Sequence, residues 1–202
     1  MSKPQSIILG SSSPYRRELL QKLHIDFTSQ PPEIDETADE TESATELTSR
    51  LALLKAKRIA ETNPDALIIG SDQVAVLDGR IIGKPITFDN AKKQLQAASG
   101  KTVEFITALC LLNSKNNTVQ EETSVFKVHF RNLTDSEIES YLHMEKPFNC
   151  AGSFKSEGLG IALFSKLEGN DPNSLIGLPL IILCRMLKNA GVDILSKRAG
   201  DQ

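Results

Sequence analysis

Short apolar runs that read as strands alternate along this chain with capped helical segments, and two pairs of those runs are joined directly by turns. Alternation calls for helices packed on a sheet, and direct turns call for antiparallel neighbours, so the pattern implies an α/β protein with a mixed sheet. The first run, Ser6-Ile-Ile-Leu-Gly10, leads straight into Ser13-Pro14, where serine suits a helix cap and proline the first turn. A helix is expected from there to Leu23, with Leu19, Leu20 and Leu23 on its core face. A strand at an abutting helix start is an arrangement ready to bind an anion.

A short strand is expected around Phe27, followed by an exposed, acidic, proline-containing loop over 31–40. Ser43 and Glu46 form a capping box for a helix to Glu61, which Asn63-Pro64-Asp65 ends. Residues 66–77 read as a strand interrupted by Ser71-Asp72-Gln73, and Asp78-Gly79 turns it into a second strand over 80–82. Thr87 and Asn90 open a helix to Ala98. Strands over 103–112 and 125–130 form an antiparallel pair across a turn-rich 113–118, and Thr134 with Glu137 caps a helix to Met144. A loop with three glycines covers 151–160, a strand 161–164, and a last helix 173–190, in which Pro179 sits early or makes a kink.

With 202 residues, 40% apolar and 24% charged, the chain has the material for one core or for two small lobes sharing a cleft, and one domain is the default. A net charge of -3 offers no basic field for a nucleic-acid backbone, whereas a small anion needs only a local cluster of donors. Three widely spaced cysteines fit neither a disulfide framework nor a CxxC metal site, which points to a reducing compartment. No secretory h-region and no bilayer-length apolar stretch is present, so a cytoplasmic protein without membrane partners is expected.

Three groups of residues carry chemistry. In Ser11-Ser-Ser-Pro-Tyr-Arg-Arg17, hydroxyls, helix N-terminal amides and a guanidinium converge within one turn, which suits a phosphate held by Ser11, Ser13 and Arg16. An ordinary Ser-Pro cap with two solvated arginines accounts for that spacing equally well. Glu33, Asp35 and Glu36 share a loop, and with Asp72 they are the oxygen ligands a hard divalent cation takes. A solvated acidic loop is the alternative for the first three, but Asp72 interrupts an apolar strand and would be costly to bury unpartnered. Lys55 and Lys84 are cations able to neutralise a triphosphate, although Lys55 would equally snorkel from a surface helix. The GxxxxGK[ST] spacing of a P-loop is missing, so no kinase or ATPase signature is present.

Taken together, SSSPYRRELL at 11–20, EIDE at 33–36, Lys55, SDQ at 71–73, GKP at 83–85, AGSF at 151–154 and GLPL at 177–180 resemble the Maf family of nucleotide pyrophosphatases, in the family's order. The resemblance implies one domain over 1–195 with a polar tail at 196–202. Its fold would be an elongated mixed sheet flanked by helices, with two lobes around a central cleft, similar to inosine triphosphate pyrophosphatases. It implies Asp72 as catalytic proton acceptor, with Glu33, Lys55 and Lys84 beside it. A divalent cation (Mg, Mn or Co) would sit on Glu33, Glu36 and Asp72, and a homodimer is plausible for the family.

The resemblance also bears on the base. Tyr15, Gln73 and Glu157 stand where the dTTP- and UTP-hydrolysing branch has Arg, Thr and Gln, and they look instead like the branch that acts on 7-methyl-GTP. A methylated N7 makes guanine cationic, which an aromatic face and a carboxylate both favour. Outside that register, Tyr15 reads as a helix-surface tyrosine and Glu157 as a solvated loop acid. The rival expectations are a pyrophosphatase of dTTP, UTP or other nucleotides, and a non-catalytic, nucleotide-binding regulator of cell division.

Overall fold

The computed structural model describes residues 5–39 and 41–196. Seven strands form one sheet: β1 (Ser6–Gly10), β2 (Thr28–Gln30), β3 (Ala66–Leu77), β4 (Arg80–Ile82), β5 (Thr102–Asn113), β6 (Thr118–Phe130) and β7 (Phe164–Glu168). Their order is β2-β1-β3-β5-β6-β7, with β4 paired to the far part of β3. β2 and β3 run parallel to β1, and every other pairing is antiparallel, so the sheet is mixed as expected.

The helices are α1 (Pro14–Gln21), α2 (Ala44–Ala60), α3 (Phe88–Ala98), α4 (Asp135–Glu145), α5 (Pro172–Ile176) and α6 (Leu180–Asn189). Both capping boxes form, Ser43 with Glu46 on α2 and Thr134 with Glu137 on α4. None of these helices is long and apolar enough to cross a membrane.

Strand alternation sends successive apolar residues to opposite faces. Ile8, Ile68 and Cys110 pack under α2 with Ala52, Ala56 and Ile59, while Leu9, Ile69 and Leu111 pack against α1 and α6 with Leu19, Leu20 and Leu183. Another core fills the far half of β3, β5 and β6, where Phe154 makes edge contacts with Phe105, Phe130 and Phe164 under α3 and α4. The long strand β3 runs through both regions, and its middle residues Ser71, Asp72 and Gln73 lie where they meet. α2 crosses β3 so closely that a Cβ on Gly70 would meet the Ala52 carbonyl oxygen at 2.1 Å, and this approach sets Lys55 beside Asp72.

Four expectations are corrected. β6 begins at Thr118 rather than 125, because its polar first half pairs with β5 beyond the reach of β7 and carries no apolar signal. Residues 161–163 belong to a 3-10 turn (Leu159–Leu163), and the strand expected there is β7, starting at Phe164. A second 3-10 turn, Ala151–Ser153, lies inside the expected glycine loop. The single helix expected over 173–190 is two, because Gly177 sits at φ 120° and Pro179 lacks the amide that would continue the ladder. Of the expected tail, residues 197–202 lie outside the described residues, as do Glu40 of the acidic loop and residues 1–4.

One buried acid holds both halves of that broken helix. Asp171 accepts from the Asn173 amide (2.9 Å) and side chain (2.9 Å) through Oδ1, and from the Ile181 amide (2.7 Å) through Oδ2. Asp171→Ala strands three donors, and a loss of about 2 kcal/mol is expected, read as an earlier denaturant midpoint with an unchanged slope.

Candidate active site

The cleft has a volume of about 600 Å³, within the range of small-molecule sites. It draws on the β1–α1 turn, the acidic loop, α2, the middle of β3, the β4–α3 loop and the segment around 149–157. Ser11, Ser13, Tyr15, Arg16, Glu36, Lys55, Asp72, Gln73, Lys84 and Glu157 all line it. Glu33 is exposed and does not line it. Asp35 turns away, accepting from the Thr37 amide (2.9 Å) and hydroxyl (2.6 Å), contacts that hold its carboxyl below the usual carboxylate range. Thr37 in turn is clamped to α2 by Arg50, which also forks onto Glu42.

At one wall, β1 ends at Gly10 and the chain turns into α1. Ser13 caps the helix by accepting from the Arg16 amide, and its own amide donates to Ser11 Oγ at 3.1 Å. The positive end of α1 and three serine hydroxyls therefore border the cleft. Arg16 Nε donates to the Gly177 carbonyl at 2.8 Å, while its Nη groups have no hydrogen-bond partner among the described residues. Burial lowers the pKa of this guanidinium, opposed by the charges of Asp72 and Glu36.

The same cleft holds an ionic cluster. Lys55 extends from the buried face of α2, in step with Leu51 and Ile59, so it does not snorkel outward. Its Nζ donates to Asp72 Oδ1 at 2.6 Å and pairs with Glu36 Oε1 at 2.8 Å. Lys55 and Asp72 are buried, and Glu36 reaches in from an exposed position. Among the described residues, no group of three or more His, Cys, Asp and Glu is placed to share a metal ion. Glu36 and Asp72 both reach the Lys55 ammonium, however, and each keeps one oxygen without a hydrogen bond among the described residues. Two carboxylates completed by substrate phosphate oxygens and water are an ordinary set for a hard divalent cation, so the residues fit one.

Gln73 and Tyr15 line the cleft as well. Gln73 Nε2 donates to the Ser174 carbonyl (2.7 Å), the Leu175 carbonyl (3.2 Å) and Thr107 Oγ1 (2.8 Å). Carbonyls only accept, so the nitrogen must face them, and Oε1 is left for the cleft as an acceptor. Tyr15 accepts from the Cys150 thiol at 3.8 Å, and burial, then the neighbouring Cys150, Glu157 and Glu18, raise its pKa from 10.0 to about 12. Lys84 is exposed on the rim, near enough to Cys150 for its charge to favour the thiolate, though burial still raises that thiol's pKa.

Sequence reasoning gave no role to Ser71 and Phe154, although both lie in motifs it singled out, and did not point to Thr107, Cys150 or Phe105 as part of the site. Thr107, wholly buried, gives the same signal that exposed Asp72, a polar residue inside an apolar strand run. Ser71, buried in β3, gives it too, whereas Cys150, Phe105 and Phe154 are ordinary core residue types until the fold brings them to the cleft.

Residues 6–190 match the family model described as Maf-like protein. The chain is 51% identical over 96% of its length to a protein of Colwellia psychrerythraea named 7-methyl-GTP pyrophosphatase, 98% of which is covered. It is 54% identical over 94% of its length to a protein of the same name from Alcanivorax borkumensis, 96% of which is covered. Among solved structures, the Ham1 protein of Staphylococcus aureus superposes with a TM-score of 0.51 at 13% identity, covering 92% of this chain and 100% of that one. The likeness to Ham1 shows the fold, the one expected from the resemblance to inosine triphosphate pyrophosphatases.

Proposed function

This chain belongs to the Maf-like family, and we propose that it is a cytoplasmic nucleoside triphosphate pyrophosphatase that hydrolyses 7-methyl-GTP to the monophosphate and pyrophosphate. The carrying observation is that Lys55, paired with Asp72 and Glu36, lines the same cleft as the serines and Arg16 at the start of α1. That arrangement sets anion donors and a carboxylate able to take a proton in one cleft. The names of the two bacterial relatives support the reading, as do three free cysteines for the compartment. Residues from the end of β1 to α5 meet in the cleft, which supports one catalytic domain over the expected 1–195.

Ser11, Ser13 and Arg16 bind the phosphate chain, and Lys55 holds Asp72 and Glu36 in place. Asp72 orients a water and accepts its proton as the water oxygen bonds to the α-phosphorus. The bond from that phosphorus to the bridging oxygen breaks, and pyrophosphate leaves with the bonding pair. A divalent cation bound by Asp72 and Glu36 would offset charge on the phosphate oxygens. Glu33, exposed outside the cleft, is assigned no role.

Base preference rests on three residues. Tyr15 stacks on the purine, Gln73 Oε1 accepts from its N–H edge, and Glu157 adds negative charge beside a ring made cationic at N7. The test is pyrophosphate release from a panel of canonical and methylated triphosphates with each metal. A preference for 7-methyl-GTP over dTTP of about 100-fold is expected, given that buried polar recognition discriminates strongly. Equal turnover of the two would remove the specificity assignment.

Tyr15 also carries a pH prediction. With its pKa near 12, the phenol stays neutral to the upper end of any practical assay, so its ionisation contributes nothing to an alkaline decline. Tyr15→Phe should therefore superimpose on the wild-type pH profile up to about pH 10, where a free tyrosine is half ionised. A decline moved by that substitution would mean that the hydroxyl titrates in the working range.

A further inference from the structure

The break between α5 and α6 leaves a carbonyl with an unusual set of neighbours. Gly177 O accepts from Arg16 Nε at 2.8 Å and from the Ser71 hydroxyl at 3.0 Å. The Ser71 side chain is wholly buried and lies 2.9 Å from the Ala108 carbonyl as well. Gly177 is fixed from behind, because its amide donates to Asn173 O at 3.2 Å and Ser174 O at 3.1 Å. At φ 120° the residue occupies a region that L side chains rarely enter, so glycine sets the direction of this carbonyl.

We propose that the Gly177 carbonyl and the Ser71 hydroxyl are the positioning groups for Arg16, holding Nε so that both Nη groups face the phosphate chain of the nucleotide. The inference rests on the phosphate-binding role given to Arg16 above. An arginine free on its stem would be drawn onto Asp72 or Glu36, whose charges already act on it, and would there be neutralised. Anchoring at Nε prevents this while leaving the fork that matches phosphate oxygens. Lysine offers no equivalent, since its donors radiate from one nitrogen and cannot anchor at one atom while presenting a planar fork from two others. Ser71 touches no substrate in this arrangement and acts only through Arg16.

The test is a double-mutant cycle of Ser71→Ala and Arg16→Lys, read by kcat/KM for pyrophosphate release and by inhibition with inorganic tripolyphosphate and with 7-methylguanosine. Ser71→Ala should weaken tripolyphosphate inhibition and kcat/KM by about 10-fold, leave 7-methylguanosine inhibition within about twofold, and cost under about twofold in the Arg16→Lys background. Ser71→Cys, close in size and a weaker donor, should show a loss of the same kind of about threefold, and serves if the alanine variant does not fold. Equal losses in both Arg16 backgrounds, or a parallel fall in nucleoside and tripolyphosphate affinity, would overturn the proposal. So would wild-type tripolyphosphate affinity in both Ser71 variants. Unchanged tripolyphosphate inhibition in Arg16→Lys alone overturns the phosphate role as well, which separates that failure from failure of the brace.

Discussion

Asp72→Asn should lower pyrophosphate release by about 10³-fold, the range in which a positioned proton acceptor operates, while the far-ultraviolet circular dichroism stays native. Asparagine keeps the shape and can still accept from Lys55 through its carbonyl oxygen, so the 2.6 Å contact has a replacement. What it cannot do is take a proton from water or carry the charge that would hold a cation. Lys55 retains Glu36 as a counter-ion, which limits the structural penalty. Turnover above about a tenth of wild type would remove Asp72 from the proton-accepting role, because a lost general base costs more than that.

Lys55→Met should be the most destabilising change in the cleft, by about 3 kcal/mol, a large part of the roughly 5–15 kcal/mol that holds a domain together. Methionine is a good helix former and fills the same channel between Leu51 and Ile59, so neither α2 nor its packing explains the loss. The cause is Asp72, whose side chain is only 10% exposed and would be left as a charge without a partner. Adding Asp72→Asn to Lys55→Met removes that charge and should restore about half of the lost stability, since neighbouring groups do not contribute additively. Urea denaturation of the two single variants and the double variant measures this. A double variant no more stable than Lys55→Met would mean that the lysine stabilises α2 by packing alone.

Much of this was legible in local sequence because the signals are local. The capping boxes of α2 and α4 each span four residues and form as expected. Asp72 announced itself as a carboxylate inside an apolar strand, a placement that desolvation would forbid without partners. Within Glu33-Ile-Asp-Glu36 the sequence offered three equivalent acids, and only the fold separates them. Thr37 and Arg50 turn Asp35 back toward α2, Glu36 reaches Lys55, and Glu33 stays in solvent. The continuous apolar pattern across Gly177 concealed two helices, since periodicity does not register a glycine at φ 120° until tertiary contacts require it there.

By itself, then, the sequence determined the order of strands and helices, the mixed sheet and the types of charge that meet in the cleft. Those follow from periodicity, capping and the cost of burying polar groups, which act within a few residues. Only the tertiary structure decided which groups touch. Arg16 and Gly177 are 161 residues apart, and Gln73 and Ser174 are 101 apart, and both contacts exist because α5 packs against β5, β6 and α1. The direction of a donor depends on such distant carbonyls, which hold Gln73 by its nitrogen and Arg16 by its Nε, as no local pattern could specify.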